Sequence, residues 1–412
     1  MKIGYICSDV DVQLFGYEGC SVHIREFTNA LVDAGHDVFI ICAWAGDPSN
    51  AKVNARVYHL EASGNNGIAW QQLSTEPDIE NNHFERDLGS VLWNTWLQID
   101  GAEILEREKP DFIYERYALF GWGGVELSRR FNIPLIMELN APLCDQQLGY
   151  HKFPFHRTAR HMEKQIVRSA DAVIALTQWL ANWAMDLGVD ANRTHILPDG
   201  VSLRLFGGDI SGQPIRDQLH YTDERVVGFV GSFHGWHDVD GLIEAFSQLF
   251  ARNRKLRLLL VGDGENRISL EKKTSQLGLS DAVTFTGKVP HEQVPQYIAA
   301  MDVAVVPYQP IKDFFFSPMK LFECMAVGRP TIAANLGQIA EVIEHGVTGW
   351  LYPPGDNETL CDGIWKLLED QDLASRIGTL AKEQVMNRYT WKHVTGEVVR
   401  IAERLINRKQ GT

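Results

Sequence analysis

Long hydrophobic runs are missing from this chain. No stretch reaches the roughly 18 apolar residues that a membrane-spanning helix needs, and the segments that are apolar are short. The opening, MKIGYICSDV, turns polar beyond Cys7, too early for the apolar core of a secretory leader, so the cytoplasm is the expected compartment. Cysteine is scarce and unpatterned: six residues, at 7, 20, 42, 144, 324 and 361, with no CxxC pair. That leaves neither a zinc ribbon nor a disulfide framework and fits free thiols in a reducing compartment. Positive charge is in deficit, with 39 Lys and Arg against 53 Asp and Glu and a net charge of −14. A general affinity for nucleic acid is excluded, and anionic surfaces would need a local basic patch. Metal-ligating patterns are thin. His234 and His237 have no evident third ligand. Asp9-Val10-Asp11 and Asp238-Val239-Asp240 lack the further oxygen ligands of a hard cation, and the second stands where a helix begins and Asp is a natural cap. No metal and no bound cofactor is expected.

What is present is an alternation. The 412 residues, 45% of them apolar, suffice for two or three domains. Short apolar strands alternate with helical stretches, which predicts an α/β fold with parallel sheets. Lys2–Cys7 reads as a strand, Ser8–Cys20 as a loop with Gly16 and Gly19, Ser21–Ala34 as a helix and Asp37–Ala43 as a strand. Val226–Val230 starts the same pattern again, followed by GSFHGWHDVDGLIEAF. Between the halves lie Gly207, Gly208, Gly212 and Pro214. The expected division is 1–206, a linker over 207–225, 226–388, and a terminal amphipathic helix within 389–412.

The most informative stretch runs from Phe314 to Gly355. Val303–Pro307 is a buried strand; Ser317-Pro318 then opens a helix that runs from Met319 to Val327 and stops at Gly328. A strand, Pro330–Ala334, follows. Ligands of open parallel sheets bind beyond the carboxyl ends of the strands. A helix N-terminus there offers N–H groups and a positive dipole end to an anion. Lys320 and Glu323 lie one turn apart and share a face. A cation and amides for phosphate, with a carboxylate for ribose hydroxyls, would suit a nucleotide. Elsewhere, Lys152, Arg157, Arg160, Lys164 and Arg168 make a locally basic helix. That row is either a solvated face or, over 151–168, a site for an anionic acceptor or weak peripheral membrane contact.

SPMKLFECMAVGRP followed by GQIAEVIEHGVTGWLYPPGD resembles the donor-binding segment of family 4 glycosyltransferases. These are retaining enzymes of the GT-B fold, two Rossmann-like domains with parallel sheets facing across a cleft. GCSVHIREFTNALVDAGHDV, YERYALFGWGG, IPLIMELNAPL, LPDGVS and GKVP are similar to other parts of the family. The resemblance implies transfer of a sugar from a nucleotide sugar to an acceptor hydroxyl on a glycan, lipid-linked or small-molecule acceptor. It implies Glu323 as ribose ligand, and donor contacts from Ser317, Pro318, Met319, Leu321, Ser232, His237, Lys288, Val289 and Gly19. Lys320, Arg116, Glu138 and Asn140 would stand nearest the reaction, His23 and Tyr117 on the acceptor side. The terminal helix would cross back to the first domain. The chain departs from the pattern at three places. Of the usual two glutamates eight positions apart, the first falls on Phe315, and the usual Arg and Lys fall on Ser232 and His237. Phosphate binding would then lean on Lys320, on helix amides and on a protonated His237. Two alternatives stay open: a nucleotide-sugar 2-epimerase on the same fold, with Glu138 as an acid/base candidate, and a non-catalytic nucleotide-sugar-binding protein. The nucleobase, the sugar and the acceptor are not legible.

Overall fold

A computed structural model describes residues 1–60, 82–150, 153 and 155–410. The chain divides into two compact units, Met1–Pro198 with Val394–Thr412, and Asp199–His393.

The first unit is built on a seven-stranded sheet. Its strands are β1 (Lys2–Cys7), β2 (Asp37–Cys42), β3 (Arg56–His59), β4 (Phe112–Arg116), β5 (Leu135–Leu139), β6 (Ala172–Ala175) and β7 (Thr194–Ile196), in the order β3-β2-β1-β4-β5-β6-β7. All pairs are parallel, with Ile3 opposite Val38 on one side of β1 and opposite Phe112 on the other. Five of the six residues of β1, and all of β5 and β6, are buried, as strands covered on both faces require. A fully buried Val, Leu or Ile contributes roughly 1.5–3 kcal/mol.

The second unit repeats the plan with six strands: β8 (Arg225–Val230), β9 (Leu256–Val261), β10 (Val283–Phe285), β11 (Val303–Val306), β12 (Thr331–Ala334) and β13 (Trp350–Tyr352), in the order β10-β9-β8-β11-β12-β13. Both sheets therefore reverse direction once, between β1 and β4 and between β8 and β11. Each reversal opens a crevice at the carboxyl ends of those strands, where doubly wound sheets take their ligands.

Caps explain where several helices begin. Asp238 accepts the Gly241 amide at 3.1 Å and Thr177 the Leu180 amide at 3.2 Å. The helix Met319–Ala326 ends as its sequence suggests, with Gly328 at φ 77°. Its start differs from expectation. Pro318 occupies the N-cap position, and the Ser317 hydroxyl accepts the Asp199 amide at 3.0 Å rather than capping the helix.

The stretch 207–225, expected as a linker, belongs to the body of the second unit. It carries the helix Gln213–Gln218, and the Arg216 guanidinium donates to the carbonyls of Ala300 and Glu224 and to Asp302. Glycines in this stretch serve close packing: a Cβ on Gly212 would sit 2.3 Å from the Ala299–Ala300 backbone. The Gly- and Asn-rich segment 63–67 and residues His151, Lys152 and Pro154 of the basic stretch lie outside the described residues. On the helix His156–Ser169, Arg157, Arg160, Lys164 and Arg168 are all exposed.

Candidate functional site

In the first unit, β4 and β5 end in FIYER and LIMEL, and strand alternation sorts their side chains. Tyr114, Arg116 and Glu138 fall on one face. There Glu138 accepts from His23 Nε2 at 2.9–3.0 Å, from the Tyr114 hydroxyl at 2.5 Å, from Asn140 Nδ2 at 2.9 Å and from Arg116 at 3.4 Å. Arg116 also donates to Asn140 Oδ1. Burial alone would push the Glu138 carboxyl up; the charge and hydrogen bond of His23, with Arg116 and Tyr114, outweigh it and hold the group at about 2. Glu138 is thus an ionised, fully engaged acceptor that orients His23 and Arg116. The loop leading to Gly19 is stitched down by a buried residue that the sequence reading passed over. Arg25 donates to the carbonyls of Leu14 and Gly16, both at 2.7 Å. Gly19 itself is exposed at the start of the helix Gly19–Asp33.

Tyr117 does not join this group. It falls on the opposite face, 2% exposed, in the core, and its hydroxyl donates to Glu163 at 3.0 Å. Its assignment to the acceptor side is corrected by that alternation. Glu115 lies on the same opposite face. It accepts from the Ser8 hydroxyl at 2.8 Å, and burial raises its carboxyl to about 8, so it is protonated at neutral pH.

In the second unit the crevice between β8 and β11 holds Lys320. Its Nζ lies 2.8 Å from His237 Nε2, 4.7 Å from the Phe229 ring centroid and 5.6 Å from that of Tyr308. His237 Nδ1 faces the Ser232 carbonyl at 2.6 Å. A carbonyl only accepts, so Nδ1 carries the proton and Nε2 presents its lone pair to the lysine. Burial, then the Lys320 charge, lower His237 well below the ordinary imidazole range. The expectation of a protonated His237 is therefore corrected: the imidazole is neutral, and Lys320 is the cation. Burial lowers Lys320 in turn to about 7. Gly231, at φ 145°, makes the room; a Cβ there would stand 2.5 Å from Nζ.

Glu323, one turn further on, is 8% exposed and meets His291 Nε2 at 2.7 Å. The His291 ring in turn packs 5.7 Å from Phe206. His291 was missed because it follows the GKVP turn at no motif spacing from Glu323. Of the other expected donor contacts, Leu321 is fully buried and its amide donates to the Pro318 carbonyl at 2.9 Å, so it belongs to the helix start and the core. Pro318 is also buried, while Met319, Ser317 and Ser232 are partly exposed and Lys288 is exposed. Val289 packs against the core from the loop that Gly287 turns.

Among the described residues no group of three or more His, Cys, Asp or Glu is placed to hold a metal. The two aspartate tripeptides have structural duties. Asp9 accepts the Asp11 amide at 3.0 Å, Asp238 caps its helix, and Asp240 pairs with Lys273. No described helix is long and apolar enough to cross a membrane.

Comparison with known proteins agrees with this geometry. The family described as "Glycosyltransferase Family 4" matches residues 17–205, and "Glycosyl transferases group 1" matches residues 213–384. The chain is 29% identical over 311 residues to a D-inositol 3-phosphate glycosyltransferase of Nocardia farcinica, covering 71% of this chain and 67% of that one. It is 28% identical over 274 residues to the alpha-D-kanosaminyltransferase of Streptomyces kanamyceticus, covering 64% and 69%. Among solved structures, a sucrose-phosphate synthase from Thermosynechococcus elongatus superposes with a TM-score of 0.76 at 24% identity, covering 99% of both chains. HepE of Anabaena, solved with UDP-glucose, superposes with a TM-score of 0.73 at 21% identity, covering 98% and 100%. With both halves matched and each sheet wound in the Rossmann order, the chain belongs to the family 4 glycosyltransferases of the GT-B fold.

Proposed function

We propose that this glycosyltransferase takes its sugar from a nucleotide sugar and passes it, with retention at the anomeric carbon, to an acceptor hydroxyl. The observation that carries the reading is Lys320 at the start of the helix Met319–Ala326, in the crevice of the second sheet, one turn from Glu323. The difficulty of the reaction is the charge on a departing diphosphate, and a preorganised cation with helix amides meets that charge where it develops. Glu323 would take ribose hydroxyls. The likeness to a structure that holds UDP-glucose supports a nucleotide sugar as donor.

In the step we favour, the acceptor oxygen bonds to the anomeric carbon on the face that the diphosphate leaves. The carbon–oxygen bond to phosphate breaks, and the acceptor proton passes to the leaving phosphate oxygen. No metal is part of this reading: Lys320 and the amides take the role, and turnover in EDTA should equal that without it. We place the reaction in the cytoplasm, consistent with six free thiols. The exposed row Arg157, Arg160, Lys164 and Arg168 is our candidate contact for an anionic acceptor or a lipid surface.

The epimerase alternative is disfavoured, because a carboxyl held at about 2 is a poor proton donor near neutrality. The deciding experiment incubates the protein with a panel of nucleotide sugars, with and without acceptors, and follows the anomeric proton by NMR. Transfer with retention supports the proposal. Inversion removes the same-face step, and sugar isomerisation without an acceptor favours the epimerase.

A further inference from the structure

Glu323 is held by a residue from a distant loop. His291 Nε2 lies 2.7 Å from Glu323 Oε1, with the two side chains 13% and 11% exposed. A carboxylate oxygen accepts, so Nε2 carries the proton and donates it. Lys320, one turn back on the same helix, is engaged with His237 at 2.8 Å. Glu323 Oε2 accepts from no described group and keeps an open side. One oxygen of the carboxylate is thus engaged and the other is available.

His291 is itself anchored at both backbone and ring. The turn Gly287–Pro290, with Gly287 at φ 74°, leads into the single turn His291–Gln293, which the Gln293 amide closes on the Pro290 carbonyl at 2.9 Å. The helix Val294–Ala299 that follows buries Val294, Tyr297 and Ile298. The imidazole packs 5.7 Å from the ring of Phe206, which is fully buried. The donating N–H is therefore fixed in place.

The last torsion of a glutamate joins a tetrahedral carbon to a planar one. Its preference is broad, so the rotamer alone does not set the plane of the carboxylate. A vicinal diol depends on that plane, because its two hydroxyls have a fixed spacing and donate to both carboxylate oxygens together. Oε1 has a second lone pair for this purpose besides the one His291 takes. Without His291, binding the diol must also freeze the torsion; with it, the plane is set beforehand.

We propose that His291 is a positioning residue for recognition of the donor's ribose: it sets the plane in which Glu323 receives the 2′- and 3′-hydroxyls, and so determines how strongly the protein prefers a ribonucleotide to one that lacks them. This rests on the reading of Glu323 as ribose ligand and goes beyond it in naming the residue on which that preference depends.

Calorimetric titration of the full chain with UDP, GDP and ADP, each beside its 2′,3′-dideoxy form, tests it. The wild type is expected to bind the ribonucleotide of its favoured base about tenfold or more tightly than the dideoxy form. His291→Phe keeps a ring against Phe206 and removes the donor. It should reduce that ratio about threefold or more, by weakening the ribonucleotide and leaving the dideoxy form within about twofold of wild type. His291→Gln, whose amide nitrogen can stand in for Nε2, should restore most of the ratio. The dideoxy affinity also shows that each variant is folded. If His291→Phe keeps the wild-type ratio, or weakens both forms alike, the residue is only structural and the proposal is overturned while the ribose reading stands. If the wild type binds ribo and dideoxy forms equally, or binds no nucleotide, the ribose reading fails and the role of His291 with it.

Discussion

Lys320 and His237 hold each other in one protonation arrangement: Nζ stands 2.8 Å from Nε2, while Nδ1 faces the Ser232 carbonyl at 2.6 Å. The imidazole acts as an acceptor that positions the ammonium and adds no charge of its own. The positive charge of this pair thus rests on Lys320, and it is conditional, because burial brings Lys320 to about 7.

A pH dependence of nucleotide binding follows. An anion beside Lys320 favours its charged form, so binding above pH 7 takes up a proton. Affinity should be highest below about 7 and fall as pH rises, approaching about tenfold per pH unit until the pKa of the complex is reached. Calorimetry at pH 6 and pH 8.5, in two buffers of different ionisation enthalpy, reads both the affinity and the proton. Lys320→Arg should flatten the profile. An affinity independent of pH in the wild type would take Lys320 off the phosphate. For stability the sign is opposite. The unfolded lysine titrates near 10.5, so the unfolded chain binds more protons between pH 7 and 10.5, and this group's contribution to stability rises with pH there.

Turnover and binding should separate between the two residues of the helix. Lys320→Ala is expected to lower kcat by more than about tenfold. Glu323→Ala should weaken nucleotide binding by about tenfold, since it removes a hydrogen-bonding carboxylate and leaves His291 without that partner. Steady-state kinetics beside direct titration check both, and a nucleotide dissociation constant unmoved in Glu323→Ala would sink the ribose assignment.

Acid should unfold the first unit through Glu138. The group titrates at about 2 in the fold against 4.5 ordinarily, so its contribution is complete above 4.5 and lost as pH falls toward 2. His23→Ala takes one hydrogen-bonding partner from a carboxylate that is 2% exposed, leaves it Tyr114, Asn140 and Arg116, and should cost about 1–3 kcal/mol. Urea midpoints at pH 7 and pH 3.5 would show a large difference between wild type and variant at the first pH and a smaller one at the second.

Glu115 predicts the reverse trend. Its pKa is raised from 4.5 to about 8, so the folded chain keeps a proton that the unfolded chain releases, and stability falls as pH rises through that interval. Glu115→Gln keeps the shape and removes the titration. It should match the wild type near pH 5 and exceed it near pH 9 in thermal melts; equal losses in both proteins would contradict the buried acid.

The residues alone specify the repeating strand–helix plan. Runs such as KIGYIC, LIMEL and VAVV are largely apolar on both faces, as strands of a doubly covered parallel sheet are, and their alternation with helical stretches points to that sheet. The helix from Met319 and its stop at Gly328 were equally legible, because helix propensity and the glycine stop act over a few neighbouring residues, whereas the cap was not, since Ser317 is drawn to the Asp199 amide. Which side chains meet was decided only by the tertiary structure. His237 reaches Lys320 across 83 residues, His291 reaches Glu323 across 32, and His23 reaches Glu138 across 115. Those distances are spanned by the crossover order of the two sheets, which no local pattern records. The same holds for charge: Lys320, Glu138 and Glu115 read alike as ordinary ionisable residues, and their protonation at neutral pH depends on what the fold buries beside them.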